Sequence, residues 1–196
     1  MKWTEKLPRN ACDSAIDWCK TQRSISAAWR ECKRGDWMLW LLAHKVEQGS
    51  KYHKKIVRVA CECARLALKY VPEGEERPRI AIETAEKWSG GMATLREVED
   101  AAYAASVYAA SADAASASAD AADAASASAY VAYAAYAADA AAAASAAAAS
   151  AYAEAERENI LAVCADIVRK AFSVYDIYRV LREVREHSEG NWKGIE

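Results

Sequence analysis

The stretch Thr94-Leu95-Arg96-Glu97-Val98-Glu99-Asp100-Ala101-Ala102-Tyr103 runs on to about Tyr152 as alanine interrupted by Ser, Asp, Tyr and Val, a composition that commits the middle of the chain to helix. Thr94 and Glu97 stand three apart in the capping-box pattern, in which each side chain satisfies the other residue's backbone N–H at a helix start. Alanine loses no side-chain entropy on entering a helix, so a tract this rich in it is helical with little tertiary help. The heptapeptide DAASASA occurs twice, at Asp113 to Ala119 and at Asp123 to Ala129, and no Lys or Arg lies between Ala101 and Ala153. One unbroken helix from Thr94 to His187 would be about 140 Å long, against a radius of gyration of roughly 16 Å for a compact chain of this size. The tract therefore folds back or projects as a rod. Ser116 to Ser118, Ser126 to Ser128 and Ser145 to Ser150 are the expected bends, because serine bonds to nearby backbone outside the helix ladder. On a continuous helix Asp113, Asp120 and Asp123 share one edge and Tyr130, Tyr133 and Tyr136 drift beside it.

The rest of the composition agrees with helix. The 196 residues include seven Gly, three Pro and one Phe beside ten Tyr and seven Trp, which disfavours a β-sandwich or a flexible linker protein. The expected fold class is all-α, a multi-helix bundle with long, close-packed Ala-rich helices in a single domain over 1–196. Its parts are a Trp/Arg-rich region (1–91), the Ala-rich helices (94–152) and C-terminal helices (153–188). A net charge of −2 argues against a surface that coats DNA or RNA. Asp113, Asp120, Asp123 and Asp139 make the Ala tract too costly as a membrane span, at roughly 3 kcal/mol per mid-bilayer carboxylate. The chain begins without an apolar signal segment, which sets a cytoplasmic protein as the expectation.

Within the first region, Asn10 is the expected cap of a helix with Ala11, Ala15, Ile16 and Cys19 on its apolar face. Ser24 or Ser26 opens a second helix that Gly35 should end. Asp36 then caps Trp37 to about Val46, apolar nearly all round and so central. Gly49-Ser50 stops it, Lys51 to Tyr70 forms a longer helix, and Pro72-Glu73-Gly74 turns the chain. Pro78 suits the first turn of a helix through Trp88 that Gly90-Gly91 closes. Beyond Glu154, Ile160, Leu161, Val163, Cys164, Ile167 and Val168 make one apolar face, and Val174, Ile177 and Leu181 another, before Gly190 to Glu196 frays.

No nucleophile elbow, zinc-protease helix, phosphate loop or dinucleotide fingerprint is present, and the histidines are only His44, His53 and His187. The expectation is no catalytic residue, no metal ligand and no cofactor. Six cysteines read as reduced thiols. Cys61 and Cys63 are a poor zinc pair, since a helical Cys-x-Cys points its thiols about 200° apart. The stronger signal is ring faces beside guanidinium groups. Trp29, Trp37, Trp40 and Trp88 accompany Arg30, Arg34, Arg58, Arg65, Arg77 and Arg79, residue types that stack on bases and clamp phosphates. The candidate ligand-binding set is Trp37, Trp40, Arg58, Glu62, Arg65, Arg77 and Arg79. The competing account has the tryptophans filling an Ala-rich core and Glu62 neutralising Arg58 and Arg65.

The ordered run Trp29-Arg30-Glu31-Cys32-Lys33-Arg34-Gly35-Asp36-Trp37-Met38-Leu39-Trp40-Leu41 is followed by Ala60-Cys61-Glu62-Cys63-Ala64-Arg65-Leu66-Ala67. Then come Glu75-Glu76-Arg77-Pro78, Ala81-Ile82-Glu83-Thr84-Ala85-Glu86, Trp88, the Ala/Tyr/Ser/Asp tract and Cys164-Ala165-Asp166-Ile167-Val168-Arg169. From about Ala11 to Phe172 this series resembles the Imm5-like immunity proteins of bacteria and phages; Ser173 to Glu196 falls outside the pattern. The resemblance implies an α-helical, non-catalytic protein of bacterial or phage conflict, of immunity or anti-defence type, and supplies no active site to transfer. Two modes of action follow as expectations. One is sequestration of a small anionic, nucleotide-like ligand, specifically a nucleotide-derived immune signal. The alternative is occlusion of a toxin or host defence effector through a protein interface, with self-association as a further possibility. Neither involves DNA, RNA or a membrane. A structural or ice-binding rod is disfavoured, because the Ala tract contains no Thr.

Overall fold

In the computed structural model, residues 2–44, 46–66, 68–71, 73–109 and 154–190 are described. The readings at Ala67, at Pro72, at Ser116 to Ser118, Ser126 to Ser128 and Ser145 to Ser150, at the Asp and Tyr edges of the Ala tract, and at the 191–196 tail lie outside them. Among the described residues all regular structure is helical and there is no strand, which makes the protein all-α. The α-helices are α1 (Asp13–Thr21), α2 (Ile25–Glu31), α3 (Gly35–Ala43), α4 (Lys51–Arg65), α5 (Arg77–Ser89), α6 (Leu95–Ala109), α7 (Glu154–Ala171) and α8 (Val174–Gly190), with 3-10 turns at Trp3–Lys6 and Leu68–Tyr70.

Local chemistry sets most of these boundaries. The Ser24 hydroxyl accepts from the Ala27 N–H at 3.1 Å and starts α2, and Ser50 does the same for α4 through His53 N–H at 3.1 Å. The Thr94–Glu97 box forms in both directions, with Thr94 N–H donating to Glu97 Oε2 at 2.7 Å and Glu97 N–H to Thr94 Oγ1 at 3.2 Å. α5 opens with Pro78 in its first turn. It closes at Gly91, whose φ of 79° lets Gly91 N–H reach Trp88 O and Met92 N–H reach Lys87 O.

Several boundaries depart from the sequence reading. α1 begins at Asp13 behind an extended Cys12, so Asn10 is not its cap. α4 stops at Arg65, where Leu66 N–H turns back to Cys63 O, and a separate 3-10 turn follows. α3 ends at Ala43, three residues early, with an extended His44. Gly35 does not end α2, which stops at Glu31; it is the first residue of α3. The reason is contact across the fold, because a Cβ on Gly35 would lie 2.4 Å from Cys164 Cβ and 2.6 Å from Ala165 N. Only a glycine lets α3 approach α7 this closely.

That approach organises the core. α3 lies on α7 and also meets α4 and α8, as its nearly all-round apolar surface requires. Leu39 and Leu42 of α3, Ile56 and Val57 of α4, Ile82 of α5 and Val168 of α7 are fully buried in one cluster. α5 and α6 pair through buried faces rich in alanine, with Ala81 and Ala85 on one and Ala102 and Ala105 on the other; the rest of the expected Ala-rich helices lies outside the described residues. On α7 the expected apolar face is buried except for Val163, which is exposed. α8 closes the other side, packing on α3, α2 and the Trp3–Lys6 turn. Its first turn is fixed by Asp176 Oδ2, which accepts from Ser173 N–H at 2.8 Å and from the Ser173 hydroxyl at 3.1 Å.

Candidate functional site

The half of α3 turned away from α7 carries Trp37, Trp40 and Leu41, all half-buried. Facing them are the Trp3–Lys6 turn, α1, α2 and α8, and between these elements lies a cleft of about 390 Å³. Five of the seven tryptophans line it: Trp3, Trp18, Trp29, Trp37 and Trp40. Ile16, Ile25, Leu41, Ile177 and Leu181 supply aliphatic walls. The Trp18 and Trp37 ring centroids stand 6.2 Å apart with planes at 55°, so the two faces diverge rather than close on each other. Trp3 is anchored by its indole N–H, which donates to Gln22 O at 3.1 Å.

The cleft's charge is held in one ion pair. Arg34 donates through Nε to Asp36 Oδ1 at 2.9 Å and through Nη2 to Oδ2. Asp36 is 4% exposed, and the hydrogen bonds its carboxylate accepts hold the Arg34 guanidinium above its ordinary range. The guanidinium carbon sits 4.3 Å from the Trp37 ring centroid, so Arg34 also braces the indole from behind as a cation–π partner. The floor is tied to α7 by Arg169, whose Nη1 donates to Cys32 O at 2.6 Å and Trp29 O at 3.3 Å, satisfying carbonyls at the C-terminal end of α2. Cys12, Cys19 and Cys32 also line the cleft. Burial pushes the Cys19 and Cys32 thiols up to about 11, which keeps both protonated at neutral pH. Deeper in the core, the Cys63 thiol is raised by its hydrogen bond to Cys164 and by burial.

Of the residues singled out in the sequence, Trp37 and Trp40 line the cleft, whereas Arg58, Glu62, Arg65, Arg77 and Arg79 do not. Those five are exposed on α4 and α5. Arg65 meets Glu86 in a two-point bridge at 2.9 and 2.7 Å, with Glu86 rather than Glu62 as its partner. Arg77 bonds Glu75 at 2.7 Å, and Arg79 pairs with both Glu76 and Glu83. Arg58 Nε donates to the Lys54 carbonyl at 3.4 Å and has no acidic partner among the described residues. Trp88, 7% exposed, belongs to the core, edge-on to His53. Trp3 and Trp18 were not singled out in the sequence. The available signal was Trp18 beside Ile16 and Cys19 on the apolar side of α1.

Among the described residues no group of three His, Cys, Asp or Glu is placed to hold a metal ion, and no helix is long and apolar enough to cross a membrane. The six cysteines are free thiols. Comparison of the chain with family models, with curated proteins and with solved structures finds no match.

Proposed function

We propose that this protein acts by binding and carries out no covalent chemistry: it holds a small ligand with a flat ring in the tryptophan cleft, as an immunity or anti-defence protein of bacterial or phage conflict. The ligand we favour is a nucleotide-derived immune signal, removed from its receptor by sequestration. The observation that carries this reading is the convergence of five indoles from four separate elements on one cleft. Such faces suit a heteroaromatic ring, with stacking worth about 1–3 kcal/mol per base. The conflict setting rests on the resemblance over Ala11 to Phe172.

The test is a thermal-shift panel of cyclic nucleotides and ADP-ribose derivatives. A ligand present at about 100 times its Kd stabilises by about 2.7 kcal/mol. At least one compound is expected to raise the Tm of the wild type and to leave Trp37→Ala unchanged. No shift with any compound, or the same shift in the variant, overturns the reading. A second reading, occlusion of a toxin or host effector, draws on Tyr103 and Val107, which lie one turn apart on α6 and are 67% and 46% exposed. Recovery of one stoichiometric protein partner, lost in Tyr103→Ala, would favour it.

A further inference from the structure

We infer that the ligand carries an anionic, phosphate-type arm that settles on Lys6, Arg179 and Arg182, in a second hollow that opens beside the tryptophan cleft. This rests on the reading of the cleft as the ring site and adds the subsite for the rest of the molecule. The hollow has a volume of about 470 Å³ and shares Ile25 and Leu181 with the cleft, so the two are contiguous. Among the described residues its lining contains three cations and no carboxylate.

The state of those cations separates them from the arginines of α4 and α5. Arg65, Arg77 and Arg79 each have an acidic partner close by. Neither Lys6 nor Arg182 forms an ion pair with any described residue. Arg179 is fixed by the face of Tyr52, 3.8 Å from its guanidinium carbon. Asp176 lies 3.9 Å from it, and that carboxylate is already engaged in capping α8 through Ser173. Three cations with little compensation on a concave surface favour an anion, and guanidinium groups match the oxygens of a phosphate in particular.

The placement has a simple origin in the chain. Tyr175, Arg179 and Arg182 stand at i, i+4 and i+7 on α8 and so share one face. α8 packs against the Trp3–Lys6 turn, which brings Lys6 to the same hollow. Tyr175 and Tyr178, 80% and 45% exposed, present further ring surface at its edge. A ring slot beside a cationic hollow suits a nucleotide: a heteroaromatic base attached to one or more phosphates.

Calorimetric titration at low salt tests this with AMP, GMP, CMP and UMP, each beside its own nucleoside. At least one monophosphate is expected to bind about tenfold or more tightly than its nucleoside, the scale of one charge-assisted hydrogen bond. The Lys6→Ala/Arg182→Ala double variant should bring that monophosphate down to the affinity of the nucleoside and leave the nucleoside unchanged. Both positions are exposed, and an unaltered Tm verifies that the variant is folded. Trp37→Ala should weaken monophosphate and nucleoside alike. Equal binding of the two in the wild type, or an advantage that survives the double variant, overturns the anion subsite while the ring site stands. Absence of binding by all of the compounds overturns both.

Discussion

Substituting Gly35 by alanine puts the packing of α3 on α7 to a direct test. An ideal Cβ at this position meets Cys164 Cβ at 2.4 Å, Ala165 N at 2.6 Å and Cys164 C at 2.7 Å, where ordinary contacts begin at 3.4 Å. The atoms it meets belong to a helix backbone and to a Cβ fixed on it, so no side chain can rotate away. The helices must separate by about 1 Å, loosening the contact that Leu39 and Leu42 make with the core on one face and shifting Trp37 and Trp40 on the other. Overpacking of this kind costs about 1–3 kcal/mol, and the helix-propensity gain of Gly→Ala, at most about 1 kcal/mol, is small in a first turn. For a chain of this length the Tm should fall by roughly 2–12 °C. Thermal unfolding followed by the helical circular dichroism signal measures it, with Gly90→Ala as the control. There the new Cβ meets the terminal methyl of Met92 at 3.1 Å, on a flexible side chain, and the backbone oxygens of Lys87 and Glu86 at ordinary contact distances of 3.4 and 3.8 Å. A Gly35→Ala protein that unfolds within about a degree of wild type, or a control that falls as far, would mean that α3 does not depend on a glycine to pack on α7.

Arg65→Ala removes a half-exposed bridge to Glu86 and should cost at most about 1 kcal/mol in denaturant unfolding while leaving ring binding intact. Trp37→Ala should weaken that binding by roughly 5- to 150-fold, and the opposite ranking of the two variants would contradict the cleft. Glu97 is held below the ordinary glutamate range by the Thr94 N–H and hydroxyl, and Glu75 by its bridge to Arg77 and the Arg77 N–H. Carboxylates depressed in the folded state stabilise it above their unfolded pKa of about 4.3 and lose that contribution as pH falls through the folded value. Glu75→Gln/Glu97→Gln should accordingly lose less stability than wild type between about pH 5 and pH 3; parallel pH profiles would count against it. Under native conditions at neutral pH a thiol reagent should label Cys12, the one exposed cysteine, first and leave Cys61, Cys63 and Cys164 until unfolding. Early labelling of any buried thiol, located by peptide mass, would show that the core opens.

How much of this was legible in the sequence depended on the range of the interaction. Ser24 and the Thr94–Glu97 box act within one helical turn, and each forms as the sequence implies; Ser50, read only as part of a helix stop, caps α4 by the same short-range bond. The ion pairs of Arg77 and Arg79 are equally local, yet the sequence reading assigns both arginines to the ligand-binding set. Gly35 was misread as a helix stop because its reason lies in α7, far along the chain. Asn10 has a capping side chain, but the helix starts beyond its reach, at Asp13. The enrichment of Trp and Arg in the first region is visible in the sequence. Which rings converge and which cations line the second hollow depends on how α1, α2, α3 and α8 meet, so Trp3, Lys6, Arg179 and Arg182 could not be singled out.

The central claim is that the tryptophan cleft holds a small molecule and leaves it chemically unchanged. Protein purified from cells carrying an active defence system can be denatured and the released small molecules identified and counted by mass spectrometry, with Trp37→Ala purified in parallel. The account predicts one ring-bearing anionic compound, recovered intact at close to one per chain and missing from the variant. Equal release from both proteins, or steady conversion of the recovered compound on incubation with fresh protein, would contradict it.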